Sequence, residues 1–421
     1  MRRGLLFFLV AYSFLYGILG REVGGFQYGL IFEALILIMW LAVGIKTPRE
    51  EYTKLDSDLF YLFLVWLIIS VLQIVNPGSS ISGWLAEIRT TAFYPFMFVA
   101  LGILIFRNQR DLDIFLILVI ALSTVGTING IKQLYLGPWP GEQRFLNEGG
   151  YVTHILWGQL RVFSFYSDAG QFGASQAQVG LMSIILACGQ FKKNVRLLLF
   201  GCGLVLLYGM LISGTRGALF ALIVGVFTAI LLSKNWKAVI IGGVIAFSFL
   251  FVLKFTYIGN GNYQIYRLRT AVNPEDPSLN LRLNTQRMLR EYMSTRPFGE
   301  GLGVIGNNGE LHNPDKFLSK VPPDSYYVKV WAMYGIVGFT IWLAIMLYIL
   351  GKCCGIVWRV SDPLLRVKMI ALTSGFAGIL VCSYGNEVIN NMPSSIVVCL
   401  SLVLVYMTEG FIKNGEENIL I

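Results

Sequence analysis

Long apolar runs alternate along this chain with short polar connections, and the runs have the length of a bilayer crossing rather than of an ordinary core helix. Runs long enough to span are 5–19, 27–45, 59–75, 92–106, 113–135, 172–189, 197–212, 218–232, 239–255, 326–350, 367–384 and 394–411. The pattern predicts an all-α, polytopic membrane protein with about twelve transmembrane helices. The first run follows Arg2 and Arg3 as a signal peptide would, but no small-x-small cleavage site follows it. It is read as helix one.

The polar connections carry the orientation. With the N-terminus inside, the inside loops hold Lys46, Arg49, Lys54, Arg107, Arg110, Lys192, Lys193, Arg196, Lys234, Lys237, Lys352, Arg359, Arg366, Lys368 and Lys413. The short outside loops hold Arg21, Arg89, Arg144, Arg161 and Arg216. This bias places both termini in the cytoplasm. Two outside segments are long enough to build a site, 136–171 and 256–323. In the second, Pro277 and Ser278 start an amphipathic helix that Pro297 and Gly299 stop, with Arg282, Gln286 and Arg290 on one face.

Composition agrees with the pattern. Hydrophobic residues make up 55% of the 421 and charged residues 14%, too little polar surface for a soluble protein of this size. The net charge of +9 is largely that of the cytoplasmic loops, so it implies no nucleic-acid partner. The six cysteines lie in or at the ends of predicted helices, with no metal-ligand spacing and no pair in an outside loop. Neither a disulfide framework nor a metal site is expected.

The candidate chemistry is cationic. The turn Ser213-Gly214-Thr215-Arg216 sets an arginine at a helix start on the less positive face, where charge is costly. Arg161 precedes another such start, and Arg282 lies on the loop helix. Guanidinium groups beside helix N-termini make an anion site that suits a diphosphate, while lipid-headgroup binding or snorkelling would explain any one of them alone. Asp324, in Pro322-Pro323-Asp324-Ser325, is a candidate general base or a helix cap. His312, followed by Asn313, is the displaced alternative base; His154 reads as an ordinary loop histidine. Glu33, Lys132 and Lys329 are the candidates for charges deep in the bundle, and a transporter for an anionic solute would need more of them along a path.

These motifs resemble the O-antigen ligase and O-antigen polymerase superfamily of polytopic bacterial membrane glycosyltransferases. The resemblance rests on Arg161-Val-Phe-Ser, Ser167-Asp168-Ala-Gly170-Gln-Phe-Gly173, Ser213-Gly-Thr-Arg216-Gly217, Arg282, Arg296-Pro297-Phe-Gly299-Glu-Gly301-Leu-Gly303, and Asp324-Ser-Tyr-Tyr327 leading to Tyr334-Gly335-Ile-Val-Gly338. It implies that Arg216 and Arg282 hold the diphosphate of an undecaprenyl-linked glycan, with Arg161 a further arginine at the site. Where ligases place a His-Asn pair, this chain has Asp324-Ser325.

The expected activity is glycan transfer to an acceptor hydroxyl on the periplasmic side of the bacterial inner membrane, by a metal-independent inverting displacement without cofactor. The acceptor would be the lipid A core in a ligase, or a second lipid-linked glycan in a polymerase. Residues 1–255 would then hold helices one to nine, with the surface segment 136–171. The stretch 256–323 would be a periplasmic catalytic loop, and 324–421 would hold helices ten to twelve and a cytoplasmic tail.

Overall fold

The computed structural model describes residues 2–24, 28–235, 251–252, 254–258, 260–261, 263–270, 277–322 and 325–411, with 240, 244 and 248. Helices account for most of it: α1 (Arg2–Glu22), α2 (Tyr28–Lys46), α3 (Asp58–Leu72), α4 (Ile81–Ile105), α5 (Gln109–Tyr135), α6 (Ala169–Ala187), α7 (Lys193–Ile212) and α8 (Arg216–Leu232). There follow α9 (Tyr263–Thr270), α10 (Pro277–Met293), α11 (Gly306–His312), α12 (Tyr326–Arg359), α13 (Pro363–Gly385) and α14 (Ser394–Tyr406).

Among the described residues, eight helices are long and apolar enough to cross a membrane, and α8 and α14 are shorter apolar helices. The expected span 172–189 is a helix, α6, but it carries Gln171, Ser175, Gln176, Gln178 and Ser183 and is buried among its neighbours. Its small residues let other backbones come close. A Cβ on Gly203 of α7 would stand 2.6 Å from Ile184, and one on Gly173 would stand 2.2 Å from Ser213 Oγ. The expected span 239–255 lies largely outside the described residues. The helices facing outward show bare apolar side chains, among them Leu37, Ile45 and Ile117, as lipid contact requires.

Helix starts fall where short polar side chains precede apolar runs. Ser57, Ser80, Asn108, Asp168, Ser325 and Asp362 each accept a backbone N–H from the first turn of their helix. The connections gather at two opposite ends. At one, Arg3 pairs with Asp111, Arg107 with Glu51, Lys352 with Asp58 and Lys368 with Asp113. At the other lie the 136–168 and 277–322 segments, the first joined to the end of α1 by Arg21, whose guanidinium donates to the carbonyls of Ser164 and Tyr166 at 3.0 and 2.7 Å.

The long segment before α12 is clamped to the bundle by backbone pairing. Gly335 breaks the helix at φ +67°, ψ −172°, which exposes carbonyls and N–H groups that the glycine-rich stretch 297–301 takes up. Glu300 N–H donates to Ala332 O, Gly301 N–H to Met333 O, and Val337 N–H to Pro297 O, all within 3.0–3.1 Å. The two chains approach so closely that a Cβ on Gly335 would stand 2.1 Å from Pro297 O. Two glycine motifs far apart in sequence are thus one structural unit.

Candidate active site

The 213–216 turn is held from three sides before it presents its arginine. Gly214 takes φ +58°, Ser213 Oγ accepts Thr215 N–H at 3.1 Å, and Thr215 Oγ1 donates to Ala169 O at 2.7 Å. Arg267 of α9 donates from Nε to Gly214 O at 2.5 Å, and Arg161 Nη2 reaches Thr215 Oγ1 at 3.4 Å. Arg216 therefore opens α8 on an over-determined scaffold, at the end where the helix dipole favours an anion.

Arg216 and Arg282 line the same cavity, of about 360 Å³. Gln286, one turn beyond Arg282 on α10, lines it too, as the shared helix face requires. Thr270, Thr285 and Ser325 add polar atoms, while Phe220, Leu283, Val328, Val381 and Tyr384 form an apolar wall. Phe220, Val381 and Tyr384 are also exposed. Cationic and apolar walls in one cavity suit an amphiphile with an anionic head.

The loop helix α10 is held in register by its C-terminal end. Tyr292 OH donates to Glu300 Oε1 at 2.6 Å, Arg296 Nε meets the same oxygen at 2.6 Å, and the Arg296 guanidinium lies 4.0 Å over the Tyr292 ring. Burial, with the Glu300 hydrogen bond second, pushes the Tyr292 phenol up to about 12. Leu289 and Met293 of the same helix are buried in the main core.

Arg161 is not among the residues lining the cavity. Its Nη1 donates to Thr153 O at 2.9 Å, and its Nε is buried with no hydrogen-bond partner among the described residues. Burial and the neighbouring Arg267 charge pull its guanidinium down to about 10, with Asp168 opposing them and Arg216 adding to them. It stays a cation near neutral pH, between the cavity arginine and the base of the 155–160 hairpin. Arg267, buried and in contact with the 213–216 turn, was not legible as a site residue. Its signal is faint, the basic and aromatic mix of Tyr263-Gln-Ile-Tyr-Arg-Leu-Arg.

The histidines separate. His154 is buried, its Nε2 accepts Ala169 N–H at 3.3 Å and its Nδ1 faces Gly150 O at 3.0 Å, so the ring is the neutral Nδ1–H form and caps α6. Burial pushes its imidazole below the usual value. His312 ends α11 next to Ser80, whose hydroxyl donates to its carbonyl at 3.1 Å, and it does not line the cavity. Asn313 joins the two segments, accepting Ser80 N–H at 3.0 Å and donating to Gly303 O at 2.7 Å. Asp324 lies outside the described residues. Its neighbours Pro322 and Ser325 both line the arginine cavity, and the cap of α12 is Ser325, whose hydroxyl accepts Val328 N–H at 3.4 Å.

The charges within the spans are largely paired. Glu33 accepts from Arg89 at 2.8 Å and from Tyr94 OH at 2.7 Å, and Lys132 lies 3.9 Å over the Trp139 ring. Lys329 sits between Glu87 at 2.8 Å and Glu387 at 2.7 Å.

Compared with known proteins, residues 167–343 match the family described as O-Antigen ligase. No curated protein matches the chain.

Proposed function

From the premise that this membrane-embedded chain carries the O-antigen ligase domain across residues 167–343, we propose that it moves a glycan from undecaprenyl diphosphate to an acceptor hydroxyl at the periplasmic face of the bacterial inner membrane. The observation that carries this reading is the meeting of Arg216 and Arg282, from distant parts of the sequence, in one cavity with an apolar wall. Two guanidiniums can bind a diphosphate in pronged fashion, and the apolar wall takes the start of the lipid.

In this reading the acceptor oxygen attacks the anomeric carbon from the side opposite the diphosphate, the bond to the diphosphate oxygen breaks, and the configuration inverts. Asp324 takes the hydroxyl proton, and the arginines stabilise the charge that grows on the leaving group. The placement of Pro322 and Ser325 on the cavity wall supports Asp324 over His312 as the base. Arg161 acts one layer back, holding the turn that carries Arg216. The fixed guanidiniums supply the leaving-group stabilisation for which other enzymes use a metal, and no cofactor takes part.

The ligase reaction, with the lipid A core as acceptor, is the first reading. The polymerase reaction, with a second lipid-linked glycan as acceptor, is favoured by Asp324-Ser325 standing where ligases carry His-Asn. Purified protein reconstituted in lipid and given one lipid-linked repeat unit as its sole glycan separates them. A ladder of longer lipid-linked products marks a polymerase. Transfer that appears only on adding lipid A core marks a ligase, and no transfer in either case defeats the proposal.

A further inference from the structure

Residues 155–160 form a two-stranded hairpin in which Ile155 pairs with Leu160 and Leu156 with Gln159. Its two-residue turn is Trp157-Gly158, with φ +51° and +73°. Positive φ at both central positions is the tight hairpin turn that normally takes Asn-Gly. A bulky aromatic in the left-handed region is rare and strained, so other interactions must hold it there.

The contacts of Trp157 show what holds it. Tyr263 and Tyr266 of α9 meet its ring in edge-on fashion, with centroids 6.2 and 6.4 Å away, and the Arg267 guanidinium lies 5.9 Å from its centroid. Yet Trp157 remains 71% exposed and Tyr266 44% exposed. The tryptophan is thus braced at its rim and open on its surface.

The same helix ties this aromatic cluster to the arginine cavity. Arg267 is bonded to Gly214, two residues before Arg216, and Thr270 at the end of α9 lines the cavity. At a rise of about 1.5 Å per residue, Tyr266 stands roughly 6 Å and Tyr263 roughly 10 Å along the helix from Thr270. That is about the reach of the first sugars attached to a diphosphate seated between Arg216 and Arg282.

We propose that Trp157, Tyr263 and Tyr266 form a glycan platform, on which a pyranose of the lipid-linked donor stacks by its C–H face. An aromatic face is electron-rich, and the axial C–H groups of a pyranose carry partial positive charge, so the two attract as well as exclude water. Because ring stacking reads a shape shared by many sugars, the platform holds the glycan without fixing its identity. This rests on the arginine cavity being the diphosphate site.

The test uses the full-length protein in lipid nanodiscs and three probes: undecaprenyl diphosphate, the lipid-linked glycan that accumulates in cells lacking the protein, and that glycan released from its lipid by mild acid. Trp157→Ala is expected to weaken binding of the lipid-linked glycan about tenfold and that of bare undecaprenyl diphosphate less than about twofold. Tyr266→Ala should act in the same direction, which guards against a folding defect in the first variant. Released glycan should shift the tryptophan emission of the wild type, and Trp157→Phe should abolish that shift. Unchanged glycan binding in Trp157→Ala, or an equal loss for both lipid probes, would overturn the platform; the equal loss is what an aromatic anchor in the lipid interface would give. Failure of Arg216→Ala to weaken bare undecaprenyl diphosphate would instead defeat the diphosphate site, and the released-glycan shift would still decide the platform.

Discussion

Lys329 Nζ lies 2.8 Å from Glu87 Oε1, joining the fourth helix to the twelfth where both are buried. The pair is completed by Glu387 at 2.7 Å from the same ammonium and by Asn308, which donates to the other Glu87 oxygen at 2.8 Å. Thus α4, α11, α12 and the loop after α13 share one polar node, and Val328, the residue before Lys329, lines the arginine cavity. A buried carboxylate left without its cation is severely destabilising.

Lys329→Met is therefore expected to lower stability by about 3–5 kcal/mol, read as a lower melting temperature in detergent micelles. Adding Glu87→Gln to it should recover part of the loss, since one uncompensated charge is then gone. An unchanged melting temperature in the single variant would show that the node contributes nothing.

Arg216→Ala and Arg282→Ala should each lower glycan transfer roughly 100-fold or more at equal membrane levels, in line with the loss of one charge-stabilising donor. Lysine at either position should restore little, because a single ammonium cannot grip a diphosphate in two-pronged fashion. Near-normal transfer by both alanine variants would remove the diphosphate role.

Asp324→Asn should cost about 100-fold or more in transfer if the carboxylate takes the acceptor proton, and Asp324→Ala should cost a similar amount. Ser325 already caps α12, so neither change should shift the melting temperature much. Full activity in the asparagine variant, together with loss in His312→Ala, would move the base to His312.

His154 supplies a pH signature. Its imidazole is held below the ordinary value of 6.5 by burial, with Arg161 and Arg21 acting the same way against Gly150 O and Asp168. The folded protein thus keeps this ring neutral while the unfolded chain would protonate it. Its contribution to stability is complete above about pH 6.5 and is lost as pH falls from there through the lower folded value. Melting temperatures from pH 7.5 to 5 should fall more steeply for the wild type than for His154→Asn. Parallel curves would show that the ring is not buried and neutral.

Gly335→Ala should destabilise the chain by at least about 2 kcal/mol and loosen the 297–301 stretch, since a Cβ there would collide with the Pro297 carbonyl in a left-handed backbone. Faster protease cleavage between 277 and 322 would report it. Wild-type cleavage and melting would show that the clamp is dispensable.

Much of the scaffold could be read from local chemistry. The loop helix expected from Pro277 to the stop at Pro297 and Gly299 is α10, and its arginine and glutamine one turn apart do face the same cavity. The Asp168 and Ser325 starts are local in the same way, because a cap needs only its own first turn. By contrast, hydropathy reads the run 172–189 only as a helix long enough to span, whereas α6 carries polar and small residues and is enclosed by its neighbours. A hydropathy pattern cannot tell which face of a helix meets protein and which meets lipid.

The sequence by itself determined the all-α membrane architecture, the positions of most helices and the arginines set at helix starts, since apolar length and capping are properties of neighbouring residues. Only the tertiary structure decided that Arg216 and Arg282 share a cavity while Arg161 stands behind the turn, that Arg267 belongs to the group, and that Lys329 is held by two carboxylates. Those relationships join residues far apart along the chain. They depend on how side-chain volumes let helices approach, which no single stretch of sequence encodes.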